Sequence, residues 1–184
     1  TDCDNPFDPQ EVRLAGVFTA PSGRTWRVPG FWDGSGWCIR FAPDETGEWS
    51  VKAEVEDANG LNTSDAVPFT CVSSEHHGPI TVSSEDPFYF LHQDGTPFWG
   101  IGHNRCWSLE QLGWTAQDGY ALLTDMADAG MNLLGFWMAP WDTQLVTLAT
   151  GYDRYDMNRA MELDAIVEDA ERKGIKLLLA VWAH

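Results

Sequence analysis

The sequence predicts a β-sandwich followed by an α/β unit of parallel strands, and two patterns support this prediction. From Glu11 to about Val72, short segments of alternating apolar and polar residues are separated by turn-forming clusters roughly every ten residues. After Pro79, apolar segments without alternation are joined by segments of helical periodicity that end at glycines. We place the boundary in the polar stretch before Pro79, which gives predicted domains of residues 1–78 and 79–184.

Five segments of the first part have the pattern of β-strands, and none has helical periodicity. They cover residues 12–18, 26–28, 37–41, 47–55 and 67–72. The intervening turns lie at residues 21–23, in the glycine-rich stretch 29–36 and at Asp57-Ala58-Asn59-Gly60, which is a strong signal for a tight turn. Several short strands joined by such turns indicate a small sandwich.

The second part begins with a predicted hairpin. Residues 88–91 and 97–102 flank the turn 93–96, and the second of these segments leads into a strand. Thr115 and Asp118 then resemble a capping box, with Asp in place of the usual Glu. A helix is therefore predicted to begin at this point.

A strand–helix repeat completes the second part. The first helix ends at Gly130, and residues 131–138 are apolar on both faces, as in a buried parallel strand. A second helix covers about residues 158–170, ends at Gly174 and is followed at once by a last strand. This βαβαβ order predicts the start of a TIM (βα)8 barrel, with about three strands and two helices. Since three strands cannot close a barrel, we expect the remainder in the same polypeptide or a partner chain.

The composition limits the classes of partner. The 184-residue chain has 11 Lys and Arg against 28 Asp and Glu, a formal charge of -17, so we expect neither nucleic acid nor an anionic membrane as a partner. The sequence contains no run of about 18 apolar residues, so it predicts no membrane-spanning helix. The acidity is typical of soluble, secreted or salt-adapted surfaces. The 10 Trp predict either an aromatic core or flat surfaces for sugar rings.

The cysteines and histidines give no pattern typical of a metal site. The four cysteines form no CxxC pair, which argues against a zinc knuckle and leaves open whether Cys38 and Cys71 form a disulfide or pack as small apolar side chains. His76 and His77 have no Cys or carboxylate at ligand spacing, and we interpret them as part of a solvated linker. No EF-hand-like spacing supports calcium binding, and we expect no cofactor.

Several segments resemble a known enzyme family. Residues 94–104, 129–134 and 174–179 resemble the first three barrel strands of clan A glycoside hydrolases, including family five. In the first part, Asn5-Pro6-Phe7 and residues 28–32 are among the segments that resemble the immunoglobulin-like domain preceding many bacterial barrels of this type. The resemblance covers nearly the whole chain and rests on the order and spacing of these segments.

The resemblance implies a secreted, retaining glycoside hydrolase acting on a plant or microbial polysaccharide or oligosaccharide. One Glu would protonate the leaving oxygen and a second would attack the anomeric carbon. We expect both to lie beyond His184, so that this chain alone is inactive. The chain departs from family five at Gly135-Phe136-Trp137, where the family usually has an Arg. We interpret three carboxylates after the second predicted strand as helix caps or rim residues: Asp142, Asp153 and Asp156.

The candidate substrate-binding residues lie at or above the predicted strand ends. They are His103, Asn104, Trp107, Trp137, Trp141, Trp182 and His184. His103 and Asn104 can bond sugar hydroxyls or orient a carboxylate, or they can close the turn after the strand. Trp107 and Trp141 can stack on a pyranose ring or cap the core. For Trp137 and Trp182 core packing is favoured, and His184 can position substrate or tune a carboxylate.

Two other hypotheses concern the sandwich. It can be a carbohydrate-binding module that uses Trp26, Trp32 or Trp37 as a platform, although their alternation with the apolar face favours the core. It can also be a rigid spacer that covers a flank of the barrel and contributes stability alone.

Overall fold

The computed structural model describes residues 3–105, 116–138 and 143–181. The chain divides into two compact units, Thr1–Glu75 and His76–His184. No helix in these described stretches is both long and apolar enough to cross a membrane.

The first unit is built on an antiparallel sheet. Its strands are β1 (Arg13–Thr19), β2 (Thr25–Pro29), β3 (Phe31–Trp32), β4 (Trp37–Cys38), β5 (Gly47–Asp57), β6 (Gly60–Thr63) and β7 (Val67–Cys71). Five of them form one sheet in the order β2-β1-β5-β6, with β7 also pairing with β5, while β3 and β4 form a separate pair. The 11-residue β5 is long enough to pair with three other strands.

The tight turn predicted from the sequence joins β5 to β6. The Asp57 side chain accepts a 2.8 Å hydrogen bond from the Asn59 N–H. Gly60 has φ +98°, a conformation that glycine adopts without steric cost. The predicted turn is therefore confirmed. It was predictable because the hydrogen bond of Asp57 and the conformation of Gly60 both depend only on residues within the turn.

An aromatic cluster forms the core of the first unit. Trp49 is 2 % exposed, and its indole N–H donates to the Glu45 carbonyl at 2.9 Å. Phe18 stacks on Phe41 with ring centres 4.0 Å apart, and Trp49 stacks on Phe69 at 6.1 Å. These contacts bury large apolar areas, which dominate the stability of a small unit.

The predicted strand 37–41 forms only at Trp37–Cys38. Its partner β3 is two residues long, so the ladder of backbone hydrogen bonds ends at Cys38. Ile39 and Phe41 nevertheless pack against the core of the large sheet. Cys38 and Cys71 are free thiols, so the disulfide alternative is wrong.

The second unit combines a small antiparallel sheet with a strand–helix repeat. The antiparallel strands β8 (Ile80–Val82), β9 (Phe90–His92) and β10 (Pro97–Phe98) pair in the order β10-β9-β8. The repeat consists of β11 (Gly102–Arg105), α1 (Ala116–Asp128), β12 (Leu133–Trp137), α2 (Met157–Arg172) and β13 (Lys176–Ala180). Its strands are parallel in the order β11-β12-β13, which confirms the βαβαβ unit. The sheet is open, and no closed barrel is present in the described residues.

The predicted helix ends are also found in the structure. Gly130 and Gly174 follow α1 and α2 with φ +73° and +70°. Asp156 caps α2, since its side chain accepts from the backbone N–H groups of Asn158 and Arg159 at 3.1 and 3.3 Å. Asp156 is therefore a helix cap, as the sequence indicated, while Thr115 of the predicted capping box lies outside the described residues.

The segment 97–102, predicted as one strand, is divided between two sheets. Residues 97–98 form β10 in the antiparallel sheet, and the parallel strand β11 starts only at Gly102. A Cβ added at Gly102 would lie 1.5 Å from the Leu133 carbonyl oxygen. Glycine therefore allows the backbone to join β12 at a separation that a side chain would prevent.

Candidate functional site

The two faces of the parallel sheet have different surroundings. Leu134 and Phe136 of β12 are buried in a core with Leu123 of α1 and Ala170 of α2. Because side chains alternate along a strand, Gly135 and Trp137 belong to the opposite face. We call this second face the open face and define it by the residues Asn104, Gly135, Trp137, Leu178 and Ala180, which the strand register places side by side.

Asn104 and Gly135 are in direct contact on the open face. A Cβ added at residue 135 would lie 2.1 Å from Asn104 Oδ1 and 3.5 Å from its Cα. The amide of Asn104 therefore occupies the space that any other residue at position 135 would fill. This explains why a glycine interrupts the apolar run of β12.

Trp137 stands at the carboxyl end of β12 on the same face as Asn104. Its side chain is 36 % exposed, and Leu178 on the neighbouring strand is 65 % exposed. The Thr143 hydroxyl donates to the Trp137 carbonyl at 3.2 Å, and the Met138 N–H donates to the Ala180 carbonyl at 3.0 Å. These bonds hold the chain around the end of the strand. The open face therefore carries the amide of Asn104 opposite Gly135 and, two residues further along β12, the indole of Trp137.

His103 does not share this face. The register pairs His103 with Leu134, which is buried under the helices. His103 is itself exposed, although it lies on the same side of the sheet as Leu134, where α1 and α2 pack against β12. Of the residues predicted to bind substrate, the structure thus places Asn104 and Trp137 on one face of the sheet and His103 on the other. The remaining candidates lie outside the described residues: Trp107, Trp141, Trp182 and His184.

Asn132 was not identified from the sequence as important, yet its side chain joins the segments that lead into β11 and β12. Its Oδ1 accepts from the Ile101 N–H at 2.8 Å, and its Nδ2 donates to the Trp99 carbonyl at 3.0 Å. The side chain thereby ties the segment before β11 to the segment before β12. The only sequence signal for this role was the position of Asn132, a single amide side chain at the start of an otherwise apolar run.

The strand residues of the open face carry no carboxylate, so they can bind and orient a ligand but cannot supply an acid and a base. Asp169 of α2 has a pKa below its usual range, because it accepts hydrogen bonds from Lys173 and Arg172, although burial opposes this effect. That carboxylate lies on a helix rather than on the open face. No cluster of three or more His, Cys, Asp or Glu suited to a metal ion occurs among the described residues.

The tryptophans of the first unit do not form a shared platform. The Arg24 guanidinium lies 4.9 Å from the ring centre of Trp26, which covers one face of the indole. Trp32 and Trp37 are half-buried and contact each other edge to face at 5.8 Å. These arrangements use the rings for packing within the unit.

A groove of about 490 Å³ lies on the first unit and is lined by charged residues that already have partners. Glu11 accepts from the N–H groups of Asp4 and Asn5 at 2.9 Å. Arg13 donates to the Pro9 carbonyl at 2.6 Å and lies 3.8 Å from Glu56. These bonds tie residues 4–9 to Glu11 and Arg13.

Comparison with known proteins gives a family match for part of the chain. Residues 1–56 match the model of a family described as a domain of unknown function, DUF5060. No curated protein matches the chain.

Two solved structures resemble the chain. The first, described as a putative glycoside hydrolase from Bacteroides vulgatus, has a TM-score of 0.75 and 23 % identity, over 98 % of this chain and 38 % of that one. The second, a family 39 glycoside hydrolase from Bacteroides cellulosilyticus, is 16 % identical over 95 % and 29 % of the two chains, and its TM-score of 0.28 carries no argument. The chain thus spans less than half the length of the first protein and shares the fold of that part of it.

Proposed function

We propose that this chain is part of a glycoside hydrolase and that its open face contributes to the sugar-binding site. The supporting observation is the placement of Asn104 and Trp137 together on the face that the helices leave uncovered. In a (βα)8 barrel the helices lie outside, so the uncovered face points into the barrel, and the carboxyl ends of the strands form the active site.

The proposal assigns a role to each of these two side chains. The Asn104 amide has two donors and an acceptor, which suits the hydroxyls of a sugar or a neighbouring carboxylate. The Trp137 indole offers a flat apolar surface to a pyranose ring and an N–H donor at its edge. His103 is left out of this site because it lies on the helix-covered face.

The domain organisation follows from the same proposal. Residues 1–78 would form an immunoglobulin-like accessory domain, and residues 79–184 would form the first part of the barrel. The remaining strands would come from the same polypeptide or a partner chain. They would supply two Glu carboxyls about 5–5.5 Å apart for a retaining reaction on a polysaccharide or oligosaccharide. Such a substrate and the acidic surface suit a secreted enzyme.

Sugar binding to the chain tests the proposal directly. We would titrate neutral gluco-, xylo- and manno-oligosaccharides and follow the indole N–H signals of the tryptophans by NMR. We expect the Trp137 signal to shift with saturation and the Trp137→Ala variant to lose binding. Where a longer polypeptide containing this chain hydrolyses a sugar, the same substitution should lower kcat/KM at least about tenfold, the equivalent of 1.4 kcal/mol.

Trp26→Ala is the matched control, since Trp26 is an exposed indole of the first unit. It should leave sugar binding unchanged. Loss of binding in Trp26→Ala with full binding in Trp137→Ala would instead assign the sugar site to the first unit and overturn the proposal.

A further inference from the structure

Two histidines of the second unit lie close together beside the turn between β9 and β10. His77 precedes β8, and His92 is the last residue of β9. Their ring centres are 5.2 Å apart, and the rings are tilted by 40°. The interpretation of residues 76–77 as a solvated linker therefore needs correction at His77, which has partners within the second unit.

Each of the two rings is held through its Nδ1 atom. His77 Nδ1 lies 2.7 Å from Asp94 Oδ2, and His92 Nδ1 lies 3.2 Å from the Gly78 carbonyl oxygen. The Thr96 backbone N–H also donates to Asp94 Oδ1 at 2.9 Å. Aspartate is ionised at neutral pH, so Asp94 is a hydrogen-bond acceptor there.

These partners determine where the ring protons are. An ionised carboxylate and a carbonyl oxygen can only accept hydrogen bonds, and the Thr96 hydroxyl, 3.4 Å from His77 Nδ1, can accept as well. Nδ1 of both His77 and His92 therefore carries the proton. A neutral imidazole has one N–H and one lone pair, and the lone pair of each ring is consequently on Nε2. Metal-binding histidines commonly have this arrangement, with the second nitrogen bonded to a carboxylate or a backbone carbonyl.

The separation of the rings also fits one shared ion. Imidazole nitrogens bind zinc at about 2.0–2.1 Å in tetrahedral geometry, which places the centres of two rings on one ion about 5 Å apart. The observed 5.2 Å between His77 and His92 agrees with this spacing.

The backbone around the histidines restricts their movement. The Gln93 N–H donates to the Pro79 carbonyl at 2.9 Å, which joins the segment before β8 to the turn after β9. Gly78 has φ +77°, and a Cβ there would lie 2.9 Å from the Gln93 Cβ. The His92 ring also contacts Phe98 edge to face at 5.5 Å. A pair fixed in this way loses little freedom when it binds an ion.

We propose that His77 and His92 bind one divalent transition-metal ion, such as Zn²⁺, Ni²⁺ or Cu²⁺, through their Nε2 atoms. Asp94 orients the His77 ring and the Gly78 carbonyl orients the His92 ring, each through a hydrogen bond at Nδ1, the nitrogen that does not bind the ion. Since no three-residue cluster of metal-binding side chains is found in the described part of the chain, water completes the coordination. Imidazole ligands suit these ions, whereas Mg²⁺ prefers oxygen ligands.

Calorimetric titration of the whole chain with ZnCl₂, in the presence of excess MgCl₂, tests the site. The excess Mg²⁺ occupies nonspecific carboxylate sites on this acidic chain. We expect saturable binding of one Zn²⁺. His77→Ala and His92→Ala should each weaken it at least about tenfold, and Asp94→Asn should weaken it by about 10–100-fold through the orientation of His77. His103→Ala, which removes another exposed histidine of the same unit, should leave it unchanged.

A second measurement uses the unaltered protein and does not depend on the folding of any variant. In ¹⁵N NMR spectra of the histidine rings, Zn²⁺ should shift the Nε2 signals of His77 and His92 and leave both protonated at Nδ1. The proposal would be overturned if Zn²⁺ binding were not saturable, if the His77→Ala and His92→Ala variants bound Zn²⁺ as tightly as the wild type, or if Zn²⁺ shifted only the signals of other histidines.

Discussion

The side-chain amide of Asn104 lies over Gly135, with Oδ1 2.1 Å from the position that a Cβ at residue 135 would take. The two residues are paired on adjacent parallel strands, so the contact is made within one face of the sheet. The Asn104 amide fits over residue 135 because glycine has no side chain there. The effects of mutating the two residues on stability should therefore not be additive.

Gly135→Ala should displace the Asn104 amide and lower the free energy of unfolding by about 1–3 kcal/mol, the usual cost of overpacking. Urea denaturation measures the stability, and the side-chain NH₂ signals of Asn104 report its displacement. The double variant with Asn104→Ala should recover part of the loss. Additive losses in the double variant would show that the contact does not couple the two residues.

Asn132→Ala should remove both hydrogen bonds that this side chain makes to the segment before β11. We expect a loss of about 2 kcal/mol, since each net hydrogen bond contributes about 1 kcal/mol. The Ile101 amide should also exchange its hydrogen faster. Asn158→Ala, an exposed asparagine in α2, is the control and should change stability by less than about 0.5 kcal/mol. Equal exchange at Ile101 in wild type and Asn132→Ala would contradict this prediction.

Asp169 should contribute to stability at neutral pH and lose that contribution in acid. Its buried side chain accepts from Lys173 at 2.5 Å and Arg172 at 3.0 Å, and these bonds lower its pKa in the folded protein. An unfolded aspartate titrates near pH 4. The stabilisation is therefore complete above about pH 5 and disappears as the pH falls through the folded-state pKa.

The Asp169→Asn variant should accordingly be about 2 kcal/mol less stable at pH 7, because charge-assisted bonds are lost, and should approach the wild type at low pH. Thermal unfolding across this pH range measures both effects. Asp125→Asn removes an exposed carboxylate of α1 and serves as the control. A constant difference between wild type and Asp169→Asn at all pH values would be inconsistent with the proposed linkage.

The thiol of Cys38 should react slowly with iodoacetamide. Cys38 lies 3.1 Å from Asp33 Oδ2, and this hydrogen bond is the largest cause of the raised pKa of the thiol. Less thiolate is then present at mildly alkaline pH. Asp33→Asn removes the charge but keeps a carbonyl oxygen for the bonds from Ser35 and Gly36, so alkylation of Cys38 should become faster.

Peptide mass spectrometry can follow this reaction separately at each cysteine. Cys71, a thiol elsewhere in the same unit, is the internal control and should react at the same rate in both proteins. An unchanged rate at Cys38 would show that Asp33 does not suppress its ionisation.

The strands and helices were largely predictable where their signals are local. The apolar run of β12, the helical periodicity of α2 and the glycines after both helices depend on residues a few positions apart. The short β4 was harder to predict, because its length depends on β3, whose two residues lie in a stretch that the sequence suggested to be a loop.

The candidate site was predictable only in part. The sequence located His103 and Asn104 at the end of a strand, but β11 lacks an apolar alternation that would tell its two faces apart. The pairing with β12 separates them, since Asn104 lies beside Gly135 and His103 beside Leu134. Asn132 was missed because its two partners belong to a segment about thirty residues away, beyond the range of local pattern.

The sequence by itself determined the order of strands and helices, the turn at Gly60 and the helix ends at Gly130 and Gly174, because backbone conformation there follows from nearby residues. Only the tertiary structure decided that Asn104 and Trp137 share the open face and that His77 meets Asp94 and His92. Those relationships depend on register and on contacts between distant segments. Such contacts become favourable only once the surrounding elements have packed together.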